Sequence, residues 1–107
     1  METKHTPGPW SYWSGYNPYD KVEAQVTAEG GDIVIASYNH LIAEGEANAK
    51  LIVTAPDLLA DLIVAAETLR RYEALHRAKC TAESLEKAEV NAGLAHRFEQ
   101  TIAKATA

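Results

Sequence analysis

The chain has one cysteine, Cys80, in 107 residues. A single thiol excludes an intrachain disulfide and any metal site built from several cysteines, and it suits a reducing cytoplasm. Long apolar runs are also missing, and the longest falls well short of the ~20 residues that a membrane-spanning helix needs. The amino terminus carries no basic stretch followed by an apolar one, so no signal peptide is expected. Basic residues are outnumbered by acidic ones, 10 to 15, for a net charge of −5. That balance argues against DNA, whose phosphates call for a basic surface, but not against a small nucleotide held by one or two cations. Large apolar side chains are sparse, and alanine supplies much of the hydrophobic fraction. Burial stabilises by roughly 25 cal/mol per Å², so small side chains make a thin core that favours completion by a second subunit. The length suits one domain, residues 1–107.

Catalytic patterns are missing too. The histidines (His5, His40, His76, His96) are scattered, with no two one helical turn apart and no carboxylate at metal-ligand spacing. No serine has a nucleophile-elbow context. Gly30-Gly31 joins two expected strands rather than a strand and a helix, so it is not a phosphate loop. No catalytic residue, metal or cofactor is expected, and the chain is read as a binding protein rather than an enzyme.

What is present divides at the stretch Glu46–Leu59. Before it, the sequence reads as strands. Residues 1–9 form an extended arm, with Pro7 and Pro9 fixing φ. A first strand is expected near Trp10–Ser14, then a turn over Gly15–Asp20. Val22, Ala24, Val26 and Ala28 alternate with polar residues, the period of a half-buried strand. Glu29–Asp32 is a tight turn, and Ile33–Tyr38, rich in β-branched residues, is expected to be the most buried strand. The result is a three-stranded antiparallel sheet. After a joint at Asn39–Gly45, read as a helical turn or a mobile loop, the pattern becomes helical. Leu58, Leu62, Ala65, Leu69 and Tyr72 share one stripe. Pro56 kinks or restarts this first helix, and a bent helix is the expectation. Thr81 is the expected cap of a second helix over residues 82–103, with a small stripe (Ala88, Ala92, Ala95), a larger one (Leu94, Phe98, Ile102), and a tail fraying from Lys104. The expected fold is α+β: the sheet, then a long kinked helix and a second helix in an antiparallel hairpin (44–105), with homo-oligomerisation through the helices.

Candidate binding residues carry two readings each. Trp10, Tyr12, Trp13, Tyr16 and Tyr19 either seal the sheet, as Pro9 suggests for Trp10, or form a contact surface; Trp13 is the candidate platform. Tyr38 and His40 lie at the joint. Asn48 is either a surface residue of the first helical turn or an inward amide reading a ligand edge, with Tyr38 stacking beside it. Arg70 and Arg71 either pair with Glu67 or Glu73, or supply phosphate forks from a neighbouring subunit.

His5-Thr6-Pro7-Gly8-Pro9-Trp10, with Glu46-Ala47-Asn48-Ala49-Lys50-Leu51-Ile52 and Ala55-Pro56-Asp57-Leu58-Leu59, resembles a family of small phage and prophage proteins that carry an HTPGPW opening and an ANA-x-LI-x-x-AP-x-LL helix. That resemblance implies phage origin. In layout, a short antiparallel sheet before two long helices is similar to one class of phage anti-Thoeris sponge proteins. The likeness implies oligomerisation through helices and sequestration, without turnover, of a cyclic ADP-ribose-type signal or a cyclic oligonucleotide (the signal class of CBASS defence). In that class an aromatic and an asparagine near the first long helix matter for the ligand, and Tyr38 and Asn48 are the positions that match. The leading expectation is therefore a phage anti-defence protein in the cytoplasm of an infected bacterium, binding a nucleotide-derived signal through Tyr38, His40, Asn48, Arg70, Arg71 and Trp13. The alternative is a protein-binding inhibitor of a host defence component that uses the aromatic N-terminal region and an acidic surface.

Overall fold

A computed structural model describes residues 4–17 and 21–107, with side chains except at residues 16, 17 and 21–23. Three strands precede two helices: β1 (Trp10–Asn17), β2 (Lys21–Ala28), β3 (Ile33–Ser37), α1 (Gly45–Lys79) and α2 (Ala82–Thr106). This is the expected α+β layout. The described chain falls into two compact units, Lys4–Leu58 and Leu59–Ala107.

In the first unit the sheet order is β1-β2-β3, antiparallel throughout. β2 is the middle strand, and it carries the buried residues Ala24, Val26, Thr27 and Ala28. This corrects the expectation that residues 33–38 would be the most buried. Neighbour order outweighs composition here: β3 is an edge strand, and its Val34 is exposed. The register with β3 shifts between Val26 and Thr27 and leaves Ile35 as the extra residue of a bulge in β3, while β2 stays in continuous register with β1.

β1 is longer than expected. Gly15, Tyr16 and Asn17 pair with Glu23, Val22 and Lys21, so they are strand rather than part of the expected turn; the rest of that turn, residues 18–20, lies outside the described residues, as do residues 1–3 of the expected arm. Between β2 and β3 a single 3-10 turn spans Glu29–Gly31. Glu29, Gly30 and Gly31 all have positive φ, at 52°, 66° and 102°. Two glycines adopt this region without the Cβ clash that any other residue meets.

Residues 4–9 fold back rather than extending freely. The Trp10 indole Nε1–H donates to the Thr6 carbonyl at 3.1 Å. The His5 ring meets the Trp10 ring edge-on, 6.1 Å between centroids. A Cβ built on Gly8 would lie 3.4 Å from Pro56 Cβ and 3.7 Å from its Cγ. The opening motif and the proline of the helix motif thus lie so close that a side chain on residue 8 would touch Pro56. α1 runs unbroken through Pro56 rather than restarting there.

In the second unit, Thr81 caps α2: its Oγ1 accepts from the Ser84 N–H at 3.1 Å. This satisfies one of the helix's unpaired first-turn donors. Cys80, exposed and at φ 55°, forms the link between the helices. The two helices run antiparallel, because the ion pairs Arg70–Glu99 and Arg77–Glu89 advance in opposite directions along the two sequences. Their contact is built mainly of small side chains, with Ile102 the one large buried residue. Ala66, Ser84, Ala88, Ala95 and Ile102 are buried, and alanines at such a seam permit close helix approach. Ala92 is only half-buried. α2 continues to Thr106 instead of fraying from Lys104, and the Thr106 hydroxyl donates to the Ile102 carbonyl at 2.8 Å.

Candidate functional site

The joint between β3 and α1 is a closed turn. The Tyr38 N–H donates to the Ala24 carbonyl at 3.0 Å, so the chain stays tied to β2 one residue past the strand. The Tyr38 ring meets Tyr12 edge-on, 6.3 Å between centroids and 75° between planes. Next, the Asn39 side-chain oxygen accepts from the Leu41 N–H at 2.9 Å, a turn in which the side chain replaces a backbone acceptor. The Gly45 N–H donates to Ile42 O at 3.1 Å, and the Asn48 N–H to Glu44 O at 2.8 Å. Gly45 is buried. A Cβ there would collide with Asn39 O and lie 2.8 Å from Asn39 C and 3.2 Å from His40 Cα. The turn is folded onto the first residue of the helix so closely that only glycine fits.

This geometry turns the apolar pair outward. Leu41 is 82% exposed and Ile42 also faces solvent. Leu41 sits on a turn held by two hydrogen bonds, from its own N–H to Asn39 Oδ1 and from the Gly45 N–H to Ile42 O, and so forms an apolar tip on an ordered turn. Its signal in the sequence was Asn39, two residues before Leu41, together with the lone glycine at the helix start.

Tyr38, His40 and Asn48 thus belong to one joint. His40 is half-buried, and Asn48 is exposed, the surface alternative of its two readings. Trp13 is not brought to them. It sits opposite Gln25 on β1, whereas Tyr12 sits opposite the buried Val26. Successive side chains alternate faces, so Trp13 is on the face of the sheet away from Tyr12. Its ring lies along Gly15, where a Cβ would come within 3.1 Å of it.

Arg70 and Arg71 belong to the helical unit. The Arg70 guanidinium makes a fork with Glu99, Nε at 3.1 Å and Nη2 at 2.7 Å, and its Nη1 reaches Glu73 at 2.9 Å. Arg77 reaches Glu73 through Nε at 2.9 Å and Glu89 through Nη2 at 3.0 Å. A ladder Glu99–Arg70–Glu73–Arg77–Glu89 results, with the sequence-visible pair Arg70–Glu73 at its centre. Hydrogen bonds from Arg70, then from Arg77, hold the Glu73 carboxyl below the usual glutamate range. Arg70 does the same to Glu99. Reciprocally, Glu99 and then Glu73 raise Arg70, and Glu73 and then Glu89 raise Arg77. With its fork and third donor engaged, Arg70 offers little to an incoming phosphate. Arg71 is exposed and makes no ion pair among the described residues.

Two hollows lie in the helical unit. One, of about 420 Å³, is lined by His76, Glu86, Lys87, Val90 and Asn91. The His76 Nδ1 is shielded from solvent with no hydrogen-bond partner among the described residues. The other, of about 270 Å³, lies between Ile63, Ala66, Glu67, Arg70, Glu99 and Ile102. Among the described residues no group of three or more His, Cys, Asp or Glu could hold a metal ion. No described helix is long and apolar enough to cross a membrane.

Comparison with known families gives one match: the model of a family described as Salmonella phage P22 protein Y8K6 matches residues 1–107. No curated protein matches the chain, and no solved structure matches it.

Proposed function

The chain belongs to the Salmonella phage P22 protein Y8K6 family over its whole length, and from that premise we propose that this phage protein is a non-enzymatic inhibitor that acts on a host defence component by binding it as a protein. The observation that carries the reading is the fixed tip at the joint, where Leu41 is 82% exposed on a tightly hydrogen-bonded turn. A turn whose backbone is already hydrogen-bonded has given up part of the conformational freedom that ordering a loop on docking would otherwise cost. Ile42 beside it extends the contact, as an anchor pair filling a partner's pocket would. The net charge of −5 favours a neutral or basic surface around that pocket.

The test is photo-crosslinking from position 41 during infection, with an exposed helical position, Glu83, as the control. An adduct with one host protein from position 41 and none from position 83, lost when Ile42 is changed to Glu, is the expected result. No adduct from position 41 refutes the reading.

Sequestration of a nucleotide-derived signal is the second reading. It is favoured by the Tyr12–Tyr38 aromatic pair at the joint that also holds His40 and Asn48. Calorimetric titration with cyclic ADP-ribose isomers and cyclic di- and trinucleotides decides it. Tight binding, abolished by Asn48→Ala with the ligand recovered intact, supports a sponge. No binding to any of them removes that reading.

A further inference from the structure

The helical hairpin has a second face that α2 does not cover. The hollow lined by His76 from α1 and by Glu86, Lys87, Val90 and Asn91 from α2 shows that these residues share one side of the hairpin. Helical periodicity extends that side. Tyr72, Leu69, Ala65 and Leu62 precede His76 by 4, 7, 11 and 14 residues, all near whole turns of a 3.6-residue helix. On α2, Leu94 and Phe98 follow Val90 and Asn91 at the same kind of spacing. Leu62, Ala65, Leu69, Tyr72 and His76 alternate steps of three and four, the spacing of a seam that packs against another helix. Val90 is 63% exposed, Tyr72 50% and Leu94 41%. No charged side chain interrupts the seam between Leu62 and His76.

We infer that this face is covered by a second copy of the chain, turned antiparallel about a two-fold axis at Leu69, to form a four-helix bundle. The face is complementary to itself under that operation. Leu62 and His76 lie seven residues to either side of Leu69. The turn therefore brings Leu62 of one copy to the His76 hollow of the other, and does so twice. Tyr72, three residues on from the axis, comes within one residue's rise, about 1.5 Å, of the level of the small Ala65 of the second copy, four residues back. Each copy thus carries both the knob and the hole, which an isologous contact requires.

The size is adequate. Residues 59–79 span roughly 30 Å of helix, and two helices side by side are roughly 20 Å wide. That gives roughly 600 Å² in projection. Side-chain relief brings it near the ~800 Å² per partner of a standard stable interface. The need is equally plain, because the hairpin's own buried residues are three alanines and one serine for every large one: Ala66, Ala88, Ala95 and Ser84 against Ile102.

The test uses the full chain with Cys80→Ser, which removes the exposed native thiol. Sedimentation should show a dimer. Tyr72→Glu and Leu94→Glu should each weaken it by about a hundredfold or more, since each places two charges in a closed apolar contact. Far-ultraviolet circular dichroism checks that the helices persist. In the same background Leu69→Cys, on the axis, should form a disulfide-linked dimer under mild oxidation, while Glu67→Cys, which lines the other hollow, should not. A monomeric wild-type chain at 100-fold the concentration that suffices for ordinary stable dimers, about 100 µM against 1 µM, overturns the inference. So does a dimer untouched by both glutamate substitutions, or crosslinking from position 67 and not from position 69.

Discussion

Gly45→Ala sets two effects against each other at the first residue of α1. Helix propensity favours alanine over glycine by up to about 1 kcal/mol. Space opposes it. The added methyl would overlap Asn39 O and lie 2.8 Å from Asn39 C, and both are backbone atoms, so no side-chain rotation relieves the clash. The relief available is a shift of the whole turn, which strains the Asn39–Leu41, Gly45–Ile42 and Asn48–Glu44 hydrogen bonds together. Overpacking against backbone costs about 3 kcal/mol, so the net expectation is a loss of about 2 kcal/mol. In a chain of this length that corresponds to a fall in melting temperature of roughly 10 °C. The assay is thermal and urea denaturation at one fixed protein concentration, because any dimerisation makes the midpoint concentration-dependent. Gly93→Ala is the matched control. Nothing lies within 4 Å of a Cβ there, and the residue is inside α2 and exposed. It should stabilise by about 0.5–1 kcal/mol. If Gly45→Ala is as stable as Gly93→Ala, the turn is not packed on the helix start and the fixed-tip argument fails with it.

Thr81→Ala removes the side-chain acceptor of the Ser84 N–H and should cost about 1 kcal/mol, read as a lower urea midpoint, with Thr81→Ser retaining most of the stability. Trp10→Phe keeps an aromatic side chain but deletes the donor to Thr6 O and part of the ring that His5 meets; a loss of about 1 kcal/mol or more is expected, with residues 4–9 loosened enough to raise their protease sensitivity. Glu73 and Glu99 are held below the usual glutamate range by Arg70, so their ionised forms favour the fold. Their contribution is complete above the unfolded value, about 4.3, and is lost as pH falls through the lower folded values. Arg70→Met should therefore flatten the acid limb of the stability–pH curve while leaving its shape near pH 8 unchanged. An acid limb identical to wild type would refute that assignment.

Much of the fold was legible because it rests on local patterns. The alternation of Ala24, Val26 and Ala28 with polar residues marks β2, Thr81 marks the start of α2, and the two glycines after Glu29 mark the turn between strands. What was not legible depended on partners far along the chain. Gly15, Tyr16 and Asn17 have turn chemistry, yet they are strand because Lys21, Val22 and Glu23 return opposite them. Residues 33–37 have the more apolar composition, yet β2 is the more buried strand because it lies between two neighbours.

The candidate site was harder for the same reason. Spacing placed Arg70 beside Glu73, but Glu99, 29 residues away, is what closes the guanidinium fork. A cation's availability to a ligand is fixed by such distant acceptors, and a sequence displays them only as unconnected acidic residues. Leu41-Ile42 is an apolar pair within a joint that the sequence left open between a helical turn and a mobile loop. It is outside because Asn39 turns the backbone and Gly45 lets that turn close on the helix. Those two small residues, more than the aromatics or the arginines, determine which surface the joint presents.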